Sequence, residues 1–190
     1  MIFHSRSRTK TVYFVYSGEV MLYNLTKHGN RKVIFILGKG RLLNQSIVSK
    51  KPNALFCEAA CPVQVIEIAE KQFLQLMEQS HALTRSVLRE YERNLWRMGH
   101  QLKNTTGNMQ MERKIAAKLW KLGRDFGVDT EDGVMIDIDL TITLMADLVG
   151  APRENVSRAC KVLTDRGLIC YGNKRFILID FDGLAKFYKM

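Results

Sequence analysis

Cysteine is scarce in this chain and follows no pattern. Its four cysteines are Cys57, Cys61, Cys160 and Cys170. Three residues separate Cys57 from Cys61, not the two of a zinc knuckle or redox motif, and no partner pair follows at metal-ligand spacing. All four read as small apolar residues, so no metal site is expected. No apolar run approaches the roughly 20 residues of a membrane span. The start of the chain, with Arg6, Arg8 and Lys10, has no signal-peptide core. The expected compartment is the cytoplasm, with no membrane partner. No paired-carboxylate, nucleophile–base or phosphate-loop arrangement stands out either. Asp137 and Asp139, ahead of a helical stretch, read as capping and loop acids, so no enzyme is expected. Internal repeats and low-complexity segments are absent.

Acid is also in short supply. Asp and Glu number 19 against 29 Lys and Arg, a formal net charge of +10. Such a balance favours a polyanionic partner, although a basic soluble protein shows it too. The 190 residues suffice for one large or two small domains with cores of their own.

The most informative stretch runs from Thr141 to Arg158. Thr141 is a plausible N-cap for a helix that packs Leu144, Met145 and Leu148 inward, with Ala146 small enough for a second helix to cross closely. Gly150 supplies a turn, and Pro152 opens the second helix, whose apolar stripe is Val156, Cys160 and Leu163. The pattern is that of a helix-turn-helix DNA reader. Arg153, Glu154, Ser157, Arg158 and Lys161 are left on the outer face. Glu154, Ser157 and Arg158 share the i, i+3, i+4 spacing that points side chains the same way. Arginine can donate twice to a guanine edge, glutamate can accept from cytosine, and serine can do either. Base contacts are therefore expected from Arg153, Glu154, Ser157 and Arg158. A solvated face with an internal Glu154–Arg158 pair has the same spacing.

Gly167 ends that helix. The β-rich runs 168–171 and 175–179 around Gly172-Asn173-Lys174 then predict a hairpin with a basic tip. Lys161, Arg166, Lys174 and Arg175, with Thr141 and Thr143, are the candidate phosphate contacts. Such contacts hold register without reading sequence.

Upstream, short strands with glycine turns fill residues 11–68, which predicts a small antiparallel barrel or roll. Residues 63–68 alternate as a half-buried strand should. A helix over 70–79 leads into a long one over 81–106. There Leu88, Leu95, Leu102 and Met109 recur every seven residues, with Thr84, Tyr91, Met98 and Thr105 at companion positions. The residues expected in a dimer seam are Leu88, Tyr91, Leu95, Met98, Leu102 and Met109, with Arg89, Arg93 and Arg97 outside it. The same pattern allows the helix to pack on its own roll. Residues 104–108 read as a hinge. A helix over 111–122 closed by Gly123, an acidic loop over 125–133 and a strand over 134–138 complete the reading.

The order of β-roll, long helix and winged helix-turn-helix resembles the CRP/FNR family of bacterial transcription regulators. The likeness is carried by residues 12–20, by Gly38-Lys39-Gly40 and by the stretch from Leu144 through Ile169, and it extends over nearly the whole chain. It implies an α+β fold: an antiparallel jelly-roll sensor over 1–80, a dimerisation helix and hinge over 81–108, and a winged helix-turn-helix over 109–190. Glu154, Ser157 and Arg158 match the family's Glu-x-x-Ser-Arg pattern, which implies TTGAT-like half-sites in palindromic double-stranded DNA, a homodimer, and RNA polymerase as partner if the protein activates.

Three departures accompany the resemblance. Members usually begin with a short helix and further strands, whereas this chain starts at what reads as a middle strand. A truncated roll with an unpaired edge and exposed core is therefore expected. Where cyclic-nucleotide members hold ribose with Gly-Glu and phosphate with Arg-Ser or Arg-Thr, this chain has Asn44-Gln45 and Asn53-Ala54. Without that arginine the charge-assisted phosphate contacts are lost, so cAMP does not carry over. The iron–sulfur members place their cysteines near the N-terminus, and none precedes Cys57 here. The effector is left as an unknown small molecule. Leu43, Asn44, Leu55, Tyr91 and Leu95 are candidate pocket residues that read more readily as core. The rival readings are a ligand-binding module acting through protein or RNA partners, and a regulator that senses haem through His28, His81 or His100 or redox state through its cysteines.

Overall fold

A computed structural model describes residues 1–49, 51–106 and 109–189 of the chain. The side chains of residues 103–106 lie outside that description, as do Gly107 and Asn108 of the expected hinge. The chain divides into two compact units, Met1–Lys103 and Asn104–Met190.

The first unit is an antiparallel roll with two helices. Its strands are β1 (Thr11–Ser17), β2 (Val20–Leu25), β3 (Arg31–Leu37), β4 (Phe56–Ala59) and β5 (Gln64–Ala69), followed by α1 (Glu70–Gln79) and α2 (His81–Thr106). They form two sheets, β1-β5 and β3-β2-β4. Val12 and Val15 of β1 are three residues apart and so face opposite sides of the strand. Each joins a different core. Val15 packs with Phe3, Leu22, Phe35 and Cys57 inside the roll, and Val12 packs with Leu42, Phe73 and Val87 beneath the helices. Consecutive residues Leu42 and Leu43 divide between the same two clusters.

Two expectations change in this unit, and one arginine of α2 finds a place the sequence did not show. The outer edge of β4 is not bare. Ile2 donates to the Cys57 carbonyl at 2.8 Å, Cys57 donates back to Phe3 at 2.9 Å, and Asn53 donates to Ser7 at 2.9 Å. Residues 2–7 thus close that edge, and buried Phe3 completes the core where exposure was expected. Residues 63–68 do not alternate cleanly, because Ile66 faces solvent. Arg97, placed outside the seam by its sequence position, is only 8% exposed, with its guanidinium 5.2 Å from the Phe35 ring centre. Burying a long cation this way leaves its stem in the core and its charge over a π face.

The second unit contains α3 (Met111–Phe126), β6 (Gly127–Thr130), β7 (Gly133–Ile136), α4 (Ile142–Val149), α5 (Arg153–Asp165), β8 (Ile169–Gly172), β9 (Arg175–Leu178) and α6 (Phe181–Lys189). The four strands form one antiparallel sheet in the order β6-β7-β9-β8. Ile115, Leu119, Ile136, Leu140, Met145, Leu163, Phe176 and Leu178 are fully buried in its core. Two boundaries move relative to the sequence reading. Gly123 does not end α3. It is buried within the helix, where an added Cβ would lie 2.5 Å from Leu178 Cδ1, so glycine here permits a close approach. The expected acidic loop contains the β6-β7 hairpin. The C-terminal helix α6 had no counterpart in the sequence reading, although Asp180 signals its start by accepting from Gly183 N–H at 2.7 Å.

Within the roll, Asn44 is 5% exposed and fully engaged. Its Oδ1 accepts from Tyr13 N–H at 2.7 Å, and its Nδ2 donates to the Thr11 carbonyl at 2.9 Å and to Thr9 Oγ1 at 3.3 Å. An Asn44→Ala substitution is expected to destabilise the roll by about 1–3 kcal/mol, because it strands a buried backbone donor. Urea unfolding followed by far-UV circular dichroism measures the loss.

Candidate nucleic-acid interface

The helix pair α4-α5 is built from local rules. Thr141 Oγ1 accepts from Leu144 N–H at 3.0 Å, capping α4 as expected. Gly150 ends α4 in the left-handed conformation, φ 74° and ψ 48°, and donates to the Ala146 carbonyl at 2.7 Å. A side chain there would be strained. Pro152 stands one position before α5, not within it, and its carbonyl accepts from Asn155 and Val156 at 3.1 and 3.2 Å. Its missing N–H costs nothing at that place. At the far end Gly167 adopts φ 69°, donates to Thr164 at 2.8 Å, and is followed by a Leu168-to-Leu163 bond at 3.1 Å.

Val156, Ala159, Cys160 and Leu163 are the buried stripe of α5. That burial turns Arg153, Glu154, Ser157, Arg158 and Lys161 outward, and all five are exposed. Arg158 Nη2 donates to Asn155 Oδ1 at 2.5 Å. The internal Glu154–Arg158 pair that would have made this a self-satisfied face is replaced by that Asn155 contact. Among the described residues Glu154, Ser157 and Arg153 form no ion pair or side-chain hydrogen bond, so donors and an acceptor stand free on one side of the helix.

The wing forms as a two-residue hairpin. Asn173 and Lys174 have φ 50° and 60°, the primed turn whose twist matches the flanking strands, and Gly172 pairs with Arg175 below it. The Lys174 carbonyl accepts from Leu140 N–H at 2.7 Å, which ties the wing tip to the residue just before the α4 cap.

The six phosphate candidates separate into two groups. Lys161, Thr143 and Lys174 are exposed, and Thr141 is partly exposed with its hydroxyl oxygen serving the cap. Arg175 is held by Asp137, with Asp139 3.6 Å away, so these acids brace the turn end of the wing, not the start of α4. Arg166 projects from a different side of α5 and stacks over Phe187, 5.0 Å from the ring centre.

The first-unit candidates do not assemble into one pocket wall. Leu43 is fully buried, Asn44 is the clamp described above, and Leu55 is half-buried. Tyr91 packs against the lower core, its hydroxyl reaches the Asn44 carbonyl at 3.4 Å, and burial pushes its phenol up to about 12. Leu95 faces outward. Leu88, Leu95, Met98 and Leu102 of α2 are between 40% and 67% exposed, a run of apolar side chains uncovered along the helix. The neighbouring face is fixed to the roll through Arg41, whose Nε donates to Glu90 at 2.6 Å and whose Nη2 donates to Asn94 at 3.3 Å. Met109 lies half-buried in the second unit, before α3. Among the described residues no group of three His, Cys, Asp or Glu side chains is placed to hold a metal ion. No helix among the described residues is long and apolar enough to cross a membrane.

A capped helix, a glycine turn, an outward polar face and a tethered hairpin define a winged-helix DNA-binding module joined to a roll. Residues 113–187 match the Crp-like helix-turn-helix domain, and residues 1–80 match the cyclic nucleotide-binding domain. The chain belongs to the CRP/FNR family of DNA-binding transcription regulators. It is similar to the cAMP-activated global transcriptional regulator CRP of Haemophilus influenzae, with 25% identity over 182 residues, spanning 93% of this chain and 79% of the relative. It is also similar to the global nitrogen regulator of a Nostoc species, with 24% identity over 177 residues, spanning 92% and 79%. In fold it resembles FixK2 from Bradyrhizobium japonicum, with a TM-score of 0.84 at 19% identity, covering 97% of this chain and 90% of that one.

Burial pushes the Cys160 thiol up to about 11 and the Cys57 thiol up to about 12, whereas Cys170 on the wing is exposed. A raised thiol pKa keeps the sulfur protonated and unreactive at neutral pH. Iodoacetamide at about pH 8 is therefore expected to modify Cys170 in the native protein, and Cys57 and Cys160 only in denaturant, as read by peptide mass spectrometry. Native-state labelling of Cys160 would contradict the packing of α5.

Proposed function

We propose that this chain is a cytoplasmic, homodimeric regulator that binds palindromic double-stranded DNA, with α5 reading bases in the major groove. The observation that carries the reading is the face of α5, where Arg153, Glu154, Ser157 and Arg158 stand together. Arg158 is held forward by Asn155 instead of being neutralised by Glu154. Arginine so held donates two bonds to a guanine, and Glu154 accepts from a cytosine amino group; a TTGAT-like half-site offers both in its G·C pair. Thr141, Thr143, Lys161 and Lys174 supply phosphate contacts that set register. Arg175 acts indirectly by anchoring the wing.

The exposed apolar run on α2 supports the dimer, with Leu88, Leu95, Met98 and Leu102 at the seam and Tyr91 turned to its own roll. Two such helices bring two reading heads to half-sites about one helical turn apart. In this reading residues 1–80 sense, 81–108 dimerise and connect, and 109–190 bind DNA. The sensed signal is a small molecule other than cAMP. Asn44, Gln45, Asn53 and Ala54 stand where cAMP-binding members carry acid and arginine, and Asn44 is occupied within the roll. RNA polymerase is the further partner wherever the bound dimer activates.

Replacing Arg158 by Ala is expected to cost about 1–3 kcal/mol at its cognate base pair and to relax selection there. Selection from random duplexes followed by titration of matched and mismatched sites measures both, and a variant with undiminished discrimination would refute the assignment. Enrichment of RNA, or of non-palindromic DNA only, would refute the dimeric reader. Leu95→Arg with Leu102→Arg is expected to give a monomer by analytical ultracentrifugation, with palindrome affinity reduced at least tenfold because one head no longer tethers the other.

A further inference from the structure

Val162 stands one helical turn beyond Arg158 on α5, and Arg166 is the C-cap of that helix. They wall a surface cavity of about 560 Å³ together with Met111, Arg113 and Phe187. It adjoins a second depression of about 390 Å³ that shares Arg166 and Phe187 and adds Leu168 and Lys186. The two make one groove along α6. Its floor is apolar, from Met111, Val162, Leu168 and Phe187, and its walls carry three cations.

None of the three cations has an acidic partner among the described residues. Arg113 and Lys186 form no ion pair there, and Arg166 has its guanidinium carbon 5.0 Å from the Phe187 ring centre and no side-chain hydrogen bond. Glu112 is the one acid of the wall. It lies in the first turn of α3, where the helix dipole favours it, and it leaves the Arg166–Lys186 end the more positive.

We propose that this groove docks an acidic, apolar segment of a partner protein. Carboxylates of the segment pair with Arg113, Arg166 and Lys186, and its apolar side chains seat on Met111, Val162, Leu168 and Phe187. Both halves of the groove contribute to this choice. A DNA backbone would use the cations but gains nothing from an apolar floor. A single small carboxylate would occupy one depression and leave the other empty, whereas an extended segment spans both and buries aliphatic surface beside each charge pair.

The test is fluorescence anisotropy of the full-length protein with a labelled synthetic peptide pool in which Asp or Glu alternates with Leu or Phe. Saturable binding is expected, weakened roughly tenfold or more by Arg113→Glu with Lys186→Glu, while affinity for the selected duplex stays within about twofold. Arg113→Gln with Lys186→Gln, checked by thermal melting, is the second variant should charge reversal impair folding. A smaller loss of peptide affinity is expected from it. Absence of saturable binding, or equal binding by folded variants, would overturn the proposal. Duplex affinity falling in step with peptide affinity would assign the groove to DNA instead, and competition by N-acetylglutamate as effective as the unlabelled peptide would assign it to a small carboxylate.

Discussion

Burial of one stripe of α5 decides what the rest of the second unit can do. Val156, Ala159, Cys160 and Leu163 lie against a core that includes α3 and α4. Each large aliphatic member contributes about 1.5–3 kcal/mol by leaving water. With that face committed inward, rotation of α5 about its axis would expose the stripe, so the opposite face is aimed without any polar contact having to hold it. The left-handed turn at Gly150 brings α5 back against α4, where small Ala146 is buried, and the Thr141 cap starts α4.

Cations in this protein fall into two populations that composition cannot separate. Arg41, Arg97 and Arg175 are engaged by neighbours of their own unit, Glu90, the Phe35 ring and Asp137 respectively, the last pair at the surface. Arg153, Arg158, Lys161 and Lys174 are exposed on the second unit. A net charge of +10 therefore says little about where an anion binds. Which arginines have been neutralised by neighbours distant in sequence says much more.

The same distinction explains what was legible in the sequence. Elements with a strong local signature were readable: the α4 cap, the Gly150 turn, the α5 stripe, the wing strands and the 26-residue α2. What depended on distant partners was not. Gly123 looks like a helix stop until Leu178, more than fifty residues on, is seen to occupy the space a side chain would need. Arg175 looks like a free wing cation until Asp137 is brought beside it. Residues 1–7 lie ahead of the strands read from the sequence, yet their backbone finds partners at Asn53 and Cys57. The pocket residues were readable as core but not as clamp, because the Asn44 bonds run to strand β1. Helix α6 carried a signal, an aspartate three residues before a glycine with apolar residues at helical intervals, which is weak beside the wing that precedes it.

The bond from Leu140 N–H to the Lys174 carbonyl joins two points of the chain that flank the whole helix pair. With the Asp137–Arg175 contact beside it, the loop ahead of α4 and the tip of the wing behave as the two jaws of a fixed caliper. The position of the wing beside the helix pair is thereby tied to the backbone ahead of α4. A nucleic acid whose groove width does not suit that position has to deform to be gripped. In the proposed reading, a wing fixed in this way makes affinity depend on duplex stiffness as well as on base contacts.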